Sequence, residues 1–284
     1  MNSAVLVPPV ADVISEVVER ARMEPRESRV PVTVVIPCCN EEPVVPVLAA
    51  TLAAKALELE REYDLRFVVV DDCSQDRTWD RLCAAFGDNP DFILVRHPKN
   101  AGVAAAILTG IRQAETEIVC SIDCDGTYDL AELGSMVPLL LGEGVDAVTA
   151  SPYHALGRVE NVPGWRLVLS RTASSLYRRV LRHKLATYTS CFRVYRRPAV
   201  VDLRLWYGGF VGIAEILGRL DLSGFRIAEH PSTLNVRRLG HSKMKILTTV
   251  AGHLALLTRL AAIRWLLRFR GRAWSRSRQP HGAT

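Results

Sequence analysis

Short runs of β-branched and aromatic residues alternate with helix-like stretches along the first half of the chain. The runs predict five strands, at residues 32–36, 67–70, 92–95, 118–122 and 145–149. The stretches between them predict four helices, at about residues 44–61, 78–86, 103–114 and 130–141. Strands that alternate with helices at this spacing pair in parallel, so the sequence predicts an α/β fold: a Rossmann-like, mostly parallel sheet with helices on both faces.

Polar side chains follow three of the predicted strands, and in such a sheet the ligand binds at the carboxyl ends of the strands. They are Pro37, Asn40, Glu41 and Glu42 after the first strand, Asp71, Asp72, Ser74 and Asp76 after the second, and Asp123, Asp125 and Asp129 after the fourth. We expect these three clusters to converge on one edge of the sheet. The chain has no Gly-x-Gly-x-x-Gly after the first strand and no Gly-x-x-x-x-Gly-Lys-Ser/Thr, which argues against a dinucleotide enzyme and a P-loop NTPase.

Asp123 and Asp125 are the sharpest chemical signal, because they end an apolar strand and enter a turn. Two carboxylates at this spacing can share Mg²⁺ or Mn²⁺ with the phosphate oxygens of a ligand. Asp-x-Asp-Gly also occurs in turns that bind no metal, and Asp71 and Asp72 can serve as helix caps instead. Two acidic clusters at neighbouring strand ends favour the metal interpretation over either alternative.

Seven elements of the chain occur in an order and at a spacing that resemble a known family. They are Val34-Val-Ile-Pro-Cys-Cys-Asn-Glu41, Val70-Asp-Asp-Cys-Ser-Gln-Asp-Arg-Thr78, Asn100-Ala-Gly102, Asp123-Cys-Asp125, Tyr153 with Gly157, Arg158, Trp165, Ser170 and Arg171, Thr189-Ser-Cys-Phe-Arg-Val-Tyr-Arg196, and Arg237 with Gly240, Ser242 and Lys243. Together they resemble glycosyltransferase family 2, in particular its dolichol-phosphate or polyprenol-phosphate mannosyltransferase-like branch. The resemblance extends from about residue 32 to residue 245.

The resemblance implies a GT-A fold, an enzyme that transfers a hexose from a nucleotide sugar, and Mg²⁺ or Mn²⁺ bound by Asp123 and Asp125. By position it implies a nucleotide-binding set of Pro37, Asn40, Glu41, Asp71, Asp72 and Asp123. It implies a catalytic set of Asp125, Arg158, Arg171 and Arg193. It implies an acceptor-phosphate set of Arg193, Arg196, Arg237, Ser242 and Lys243. Glu215 also matches an acidic position of the family, although a structural contact between a helix and a loop explains it equally well.

Residues 161–201 contain nine Lys or Arg and no Asp or Glu, and many of these cations can simply lie on a solvated helix face. A hydroxyl acceptor needs a carboxylate base nearby. A phosphate monoester, with a second pKa of about 6, is already a nucleophile at neutral pH. The window therefore favours inverting transfer from GDP- or UDP-hexose to polyprenyl phosphate, although Glu160, Asp202 or Glu215 could supply a base from outside it.

Two other functions remain open at this point. One keeps the fold and the donor but uses a hydroxyl of a soluble or specialised-metabolite acceptor. The other is a partner subunit that binds a nucleotide sugar without turnover, against which the intact pair of Asp123 and Asp125 argues. We expect no nucleic-acid partner, and the sequence does not indicate an oligomeric state.

Positive charge is concentrated at the end of the chain. Of the 36 Lys or Arg, nine lie in residues 241–284, which contain no acidic residue, so residues 1–240 hold 27 basic and 30 acidic residues. The apolar stretch 246–267 contains Arg259 and Arg264, which disfavours a membrane span and favours a helix on the domain or on the membrane surface. These features predict contact with an anionic membrane surface.

The sequence predicts three segments: an N-terminal helical extension at 1–30, a GT-A domain at 31–240, and a basic C-terminal helix and tail at 241–284. The N-terminus shows no secretory pattern, and none of the seven cysteines forms Cys-x-x-Cys spacing. We therefore expect a reduced, cytoplasmic enzyme that is peripheral at the cytoplasmic face of the membrane.

Overall fold

A computed structural model of the chain describes residues 29–142, 144–236 and 246–277, with backbone alone for 268–277. The predicted extension at 1–30 lies outside the described residues except for its last two positions. Three predicted acceptor residues, Arg237, Ser242 and Lys243, also lie outside them. The division into three segments therefore stays a prediction.

The strands of this described part form a seven-stranded sheet and a separate two-stranded one. They are β1 (Val30–Cys38), β2 (Tyr63–Asp71), β3 (Phe92–Arg96), β4 (Ile118–Ser121), β5 (Ala147–Ser151), β6 (Arg158–Val159), β7 (Arg193–Arg196), β8 (Ile227–Pro231) and β9 (Thr233–Leu234). The helices are α1 (Val45–Leu59), α2 (Thr78–Phe86), α3 (Val103–Gln113), α4 (Leu133–Leu141), α5 (Gly164–Val180), α6 (Arg197–Val200), α7 (Phe210–Ser223) and α8 (Ile246–Ser277). A single 3₁₀ turn, Leu130–Glu132, precedes α4.

The order of the large sheet is β3-β2-β1-β4-β7-β5-β8, and the pairs among β1 to β4 are parallel as the alternating pattern predicts. The strand β7 is antiparallel to both of its neighbours, β4 and β5. The apolar pattern did not indicate β7, because its sequence Arg-Val-Tyr-Arg begins and ends with a cation. The predicted α/β class with a mostly parallel sheet is confirmed.

Both faces of the sheet are covered, and this explains why its central strands are apolar all round. In β1, Val34 and Ile36 belong to one buried cluster, whereas Val35 belongs to the cluster on the opposite face. On that opposite face α3 approaches closely, since a Cβ at Gly110 would lie 2.3 Å from Cγ1 of Val35. The apolar pattern of β1 is interrupted by Thr33, whose buried backbone N–H and hydroxyl are hydrogen-bonded to Oγ1 of Thr116.

The long C-terminal helix α8 packs against α7 and α5 rather than standing apart. Leu256, Leu257 and Leu260 of α8 are buried in the core, and Leu260 lies directly over Gly218 of α7. By length and composition, Ile246–Leu267 could also cross a membrane, and 17% of its most apolar window is buried. One face of the helix is thus committed to the domain, and the other is exposed.

Two of the arginines predicted to bind the acceptor phosphate have other roles. Arg193 is fully buried, and its guanidinium donates hydrogen bonds to Oγ1 of Thr149 and to the carbonyl oxygens of Tyr188 and Ile213. These bonds hold Arg193 inside the core, so the geometry does not favour its predicted catalytic and acceptor contacts.

Arg196 lies at the opposite edge of the sheet from the predicted ligand. It pairs with Ile118, the first residue of β4, because β7 runs antiparallel to that strand. Its guanidinium donates to the carbonyl oxygens of Val145 and Leu140 and forms an ion pair with Glu117. For this reason the geometry does not favour the prediction that Arg196 binds the acceptor phosphate.

We expect Arg193→Met to lower the free energy of unfolding by more than about 2 kcal/mol, because buried carbonyl groups lose their donors. Urea unfolding followed by circular dichroism measures this loss. Arg61→Met, at an exposed position in a turn, is the control and should change stability by less than about 0.5 kcal/mol. A stable Arg193→Met protein with only a raised KM for the acceptor would contradict the structural role.

Candidate active site

A cavity of about 1000 Å³ opens at the carboxyl ends of β1, β2 and β4. On the sheet side its wall includes Pro37, Asn40, Glu41, Asp72, Asp123 and Asp125. The three clusters predicted to converge are thus brought together at one edge of the sheet. The cavity continues between α5 and α8, whose side chains form its other wall.

Hydrogen bonds join the loops after β1 and β2. The backbone N–H of Asn40, a residue with a positive φ of 49°, donates to Oγ of Ser74 at 2.7 Å. The Asn40 side chain accepts from the N–H of Gln75 at 2.6 Å. Ser74 in turn bonds to the buried carboxylate of Asp71, which also pairs with Nε of Arg96 at 3.1 Å.

These contacts change the interpretation of Asp71. It is fully buried and is not part of the cavity wall, so the geometry does not favour the prediction that Asp71 binds the nucleotide. Its carboxylate instead holds the loop after β2 through Ser74 and Arg96. Asn40 does line the cavity, with its side-chain oxygen already bonded to the backbone of the neighbouring loop.

Asp76 and Thr78, in the segment after β2, form a second link to the loop after β1. The backbone N–H of Glu41 donates to Oγ1 of Thr78 at 2.7 Å, and the Thr78 hydroxyl donates to Asp76 at 2.5 Å. Asp76 also accepts from the N–H of Glu42 at 3.2 Å. The Ser, Asp and Thr of this motif therefore hold the loop after β1 in place, which the sequence alone did not reveal.

Asp72 lines the cavity and accepts three hydrogen bonds. The backbone N–H groups of Ala101 and Gly102 donate to it at 2.8 and 2.7 Å, and Nδ1 of His97 lies 2.8 Å from Oδ1. Gly102 begins α3 with a φ of 94°, and a Cβ there would lie 2.6 Å from the backbone of Gly208. One carboxylate thus fixes the first turn of α3 at the rim of the cavity.

Asp123 and Asp125 both line the cavity beyond the end of β4. The N–H of Thr127 donates to Asp125 at 3.2 Å, and the N–H of Asn235 donates to the Thr127 carbonyl at 2.9 Å. Burial, together with the nearby negative charge of Asp123, raises the pKa of Cys191 well above its ordinary value, so this thiol stays neutral.

The donor set of this turn fits a hard divalent cation. Carboxylate oxygens are the ligands that Mg²⁺ and Mn²⁺ prefer, and two of them leave positions for water and phosphate oxygens. No cluster of three or more potential metal ligands occurs within residues 29–142, 144–236 and 246–277. A cation held by Asp123 and Asp125 would therefore depend on a phosphate-bearing ligand to complete its coordination.

Arg166, in the first turn of α5, is the arginine that lines the cavity within the described residues. Its Nε is buried without a hydrogen-bond partner in this part of the chain. Ser170, one turn later, lines the cavity beside Thr189, and their hydroxyl oxygens are 2.6 Å apart. An unpartnered guanidinium N–H beside hydroxyl groups is suited to an anionic oxygen.

The other predicted catalytic arginines lie outside the wall. Arg158 is exposed in β6, and Arg171 is exposed on α5 with its guanidinium 5.0 Å from the ring centre of Tyr153. Neither lines the cavity, although Tyr153 does. The geometry therefore does not favour a contact of Arg158 or Arg171 with phosphate groups, and this contact stays a prediction.

Glu215 is a loop anchor and does not reach the cavity. Its buried carboxylate accepts from the backbone N–H groups of Trp206 and Tyr207 and from Nε of Arg219, at 2.7 to 3.0 Å. This is the contact between a helix and a loop that was the alternative for Glu215. Because every one of these donors is local, Glu215 is not available as a base.

Sequence reasoning missed Arg166, His97 and His253 as residues of the site. Arg166 belongs to the arginine-rich window, but nothing in that window distinguishes it from eight other cations. His97 and His253 are single histidines without a motif. Only the tertiary structure shows that His97 supports Asp72 and that His253 lines the cavity from α8.

The profile of the family "Glycosyl transferase family 2" matches residues 33–204, which include the strands and loops that form the sheet side of the cavity. The chain belongs to glycosyl transferase family 2. The resemblance stated from the sequence is thereby confirmed, and the protein is a glycosyltransferase.

Named relatives of this glycosyltransferase include lipid-phosphate enzymes. It is 32% identical over 222 residues to polyprenol monophosphomannose synthase of Mycolicibacterium smegmatis, covering 74% of this chain and 80% of the relative. It is 29% identical over 216 residues to dolichol-phosphate mannosyltransferase of Pyrococcus furiosus, covering 75% of this chain and 59% of that protein. The chain thus spans most of the first relative and about three fifths of the second.

Among solved structures, the glycosyltransferase is similar to glucosyl-3-phosphoglycerate synthase from Mycobacterium tuberculosis in complex with Mn²⁺, UDP-glucose and phosphoglyceric acid. The TM-score is 0.60 at 21% identity, and the match covers 84% of this chain and 81% of that chain. At this identity the likeness establishes the fold. The predicted GT-A fold is confirmed.

We expect Asp72→Asn to weaken the binding of GDP or UDP at least about tenfold, because the amide nitrogen replaces one carboxylate oxygen and cannot accept, so at least one of the donors Ala101, Gly102 and His97 loses its acceptor. Isothermal titration calorimetry in the presence of Mn²⁺ measures this affinity. Asp80→Asn, at an exposed position of α2, removes the same charge and should leave the affinity unchanged. Equally weakened nucleotide binding in both variants would show that the effect comes from the lost charge rather than from the hydrogen bonds that Asp72 accepts.

Proposed function

We propose that this glycosyltransferase moves a hexose, with inversion, from GDP- or UDP-sugar to polyprenyl phosphate and depends on Mg²⁺ or Mn²⁺. The observation that carries the proposal is the cavity itself, which joins the carboxylates of the sheet edge to Arg166 and to an apolar groove between α5 and α8. The names of the relatives support the same substrate class.

The donor half of the site is the sheet edge. Pro37, Asn40, Glu41 and Asp72 line the part of the cavity where we place the nucleoside. Asp123 and Asp125 would hold the cation together with the donor diphosphate. The cation, when bound, neutralises the negative charge that develops on the departing diphosphate.

The acceptor half is the wall formed by α5 and α8. Its cation is Arg166, and its apolar side chains include Leu169, Leu176, Val250 and Leu254. A cation beside an apolar groove fits a ligand with an anionic head and a hydrocarbon tail. We place the acceptor phosphate at Arg166 and Ser170 and the isoprenoid chain in the groove.

The distribution of acidic groups supports a phosphate nucleophile over a hydroxyl. The acidic residues that line the cavity, within the described part of the chain, all belong to the sheet edge: Glu41, Asp72, Asp123 and Asp125. The bases considered from the sequence, Glu160, Asp202 and Glu215, do not line it. Because a phosphate monoester needs orientation rather than deprotonation, a wall without carboxylates suits it.

Membrane contact fits the position of the groove. Large apolar side chains are exposed on the three helices that frame it: Trp165 and Val168 of α5, Phe210 of α7, and Leu247 and Leu254 of α8. Leu247 is 86% exposed. We propose that this surface contacts the cytoplasmic membrane leaflet, where a polyprenyl phosphate acceptor resides, with the basic C-terminal residues near anionic lipids.

The direct test supplies purified protein with Mn²⁺, a panel of radiolabelled GDP- and UDP-hexoses, and polyprenyl phosphate. We expect label from one donor to enter the organic phase as a β-linked lipid product. Asp125→Asn should lower the rate by about hundredfold or more, because charge on the leaving diphosphate is no longer neutralised. Asp80→Asn should transfer at the rate of the original protein.

The acceptor side is tested in the same assay. Arg166→Met should raise KM for the lipid and leave donor affinity unchanged, whereas Arg179→Met, exposed at the other end of α5, should do neither. Slow hydrolysis of every donor without lipid product, or equal transfer to polyprenol and polyprenyl phosphate, would overturn the proposal. Full activity of Asp125→Asn would indicate that the acidic pair has no catalytic role.

We expect Leu247→Glu to weaken binding to phosphatidylglycerol-containing vesicles at least about tenfold, because burial of a leucine side chain contributes about 1.5–3 kcal/mol. Vesicle co-sedimentation measures the bound fraction. Leu57→Glu, a half-exposed position of α1 on another surface, is the matched control. Equal binding of the two variants would place the membrane contact elsewhere.

A further inference from the structure

A tyrosine and a histidine form a fixed pair between α5 and α8. Tyr177 is fully buried, and its hydroxyl oxygen lies 2.8 Å from Nδ1 of His253. The two rings meet edge to face with centroids 5.8 Å apart, and Tyr177 stacks against Tyr188 at 5.4 Å. The Tyr188 hydroxyl is itself anchored on the carbonyl oxygen of His183. These contacts fix the orientation of the imidazole.

The surroundings keep both groups of the pair neutral. Burial lowers the pKa of His253 below its ordinary value, and burial raises the pKa of Tyr177. Among the described residues, Nδ1 of His253 is the one recorded hydrogen-bond partner of the Tyr177 hydroxyl. The hydroxyl therefore donates to Nδ1, since the opposite arrangement would leave a buried O–H without an acceptor. The proton of the neutral imidazole then lies on Nε2.

Nε2 is the ring nitrogen that Tyr177 leaves unbonded. His253 lines the cavity, whereas Tyr177 does not. No hydrogen bond to Nε2 is formed within the described residues, and the neighbouring wall residues Val250, Leu254 and Leu176 are apolar. An N–H donor in such a wall requires an oxygen from a ligand or from water.

His253 borders the same cavity as Arg166 and Ser170, from the helix α8 on the other side of the groove. On α5, residues 166, 170, 173 and 177 are spaced by three or four positions and so share one face of the helix. A long helical side chain points back towards the helix N-terminus, so the Tyr177 hydroxyl lies over the turn that precedes it. Tyr177, the partner of His253, therefore lies on the same face of α5 as Arg166, about three turns further along the helix.

We infer that His253 is an acceptor-specificity residue, which donates a hydrogen bond from Nε2 to an anionic oxygen of the acceptor phosphate while Tyr177 fixes its tautomer. The inference rests on the proposed function, whose acceptor site it extends from α5 to α8. A fixed donor discriminates between acceptors. A phosphate oxygen accepts the bond, whereas an alcohol acceptor would need an unprotonated nitrogen at this position to lose its proton.

Substitutions of His253 separate these roles. His253→Phe keeps a ring but removes the donor, and His253→Gln keeps an N–H donor. With Mn²⁺ and the active nucleotide sugar present, we expect His253→Phe to raise KM for farnesyl phosphate about tenfold to hundredfold and kcat to change less. His253→Gln should restore most of the affinity. The KM of Tyr177→Phe for farnesyl phosphate should lie between those of the two His253 variants, because the tautomer of His253 is no longer fixed.

Direct binding gives a second readout that does not need turnover. Calorimetry with farnesyl phosphate and with farnesol should show that His253→Phe weakens the binding of farnesyl phosphate and leaves the binding of farnesol unchanged. Equal weakening for both ligands, a lower melting temperature, or weaker nucleotide binding would assign His253 to packing and overturn the inference. A loss of kcat in both variants, with loss of the ascending limb of the pH–rate profile, would identify a base instead.

The two proposals fail in different ways. If the original protein binds farnesyl phosphate but transfers no sugar to it, the proposed function is wrong, and a selective defect in His253→Phe still supports this inference. If the original protein transfers sugar to lipid phosphate and His253→Phe does so with unchanged KM, the inference alone is wrong. If farnesyl phosphate binds no better than farnesol to the original protein, both are wrong.

Discussion

The donor side of the cavity depends on hydrogen bonds to one buried carboxylate, that of Asp72. It joins the end of β2, the residue after β3 and the first turn of α3, through bonds from His97, Ala101 and Gly102. Because a buried charge is tolerated only when its oxygens are bonded, these three segments hold one geometry. The close contact between Ala101 and Gly208 extends that constraint to the loop before α7.

Other carboxylates, buried or half-buried, anchor loops in the same way, which limits what acidic residues indicate in a sequence. Glu215 binds the backbone of the loop before α7, and Asp221 accepts from the backbone N–H groups of Arg182 and His183. Glu229 accepts from those of Ala186 and Thr187. Each of these carboxylates holds a loop and does not line the cavity itself. An acidic residue near a motif is therefore as well explained by loop geometry as by catalysis.

The sequence could predict the sheet and the acidic edge, because both follow from local patterns. Apolar strands followed by Asp72, Asp123 and Asp125 place these carboxylates at one edge in any parallel α/β sheet. The acceptor wall could not be predicted, because whether an arginine is buried or reaches a cavity depends on contacts distant in the chain. Arg193 and Arg166 lie in the same cationic window, yet one binds carbonyl groups inside the core and the other has a buried, unbonded N–H at the cavity.

The division of charge between the two walls follows from how the fold is assembled, and it bears on the chemistry. Loops after parallel strands supply the carboxylates, whereas the acceptor wall comes from α5 and α8, which face the cavity with Arg166, His253 and apolar side chains. Under the proposed function, a cation and a nucleotide would find ligands on one side, and an anionic nucleophile would find donors on the other. Since α8 also packs on α7 through Leu260 and Gly218, the helix that exposes Leu247 also helps to position the acceptor wall. Membrane contact and acceptor binding would then act on the same helix, so a change in how α8 docks should affect the lipid substrate before it affects the nucleotide.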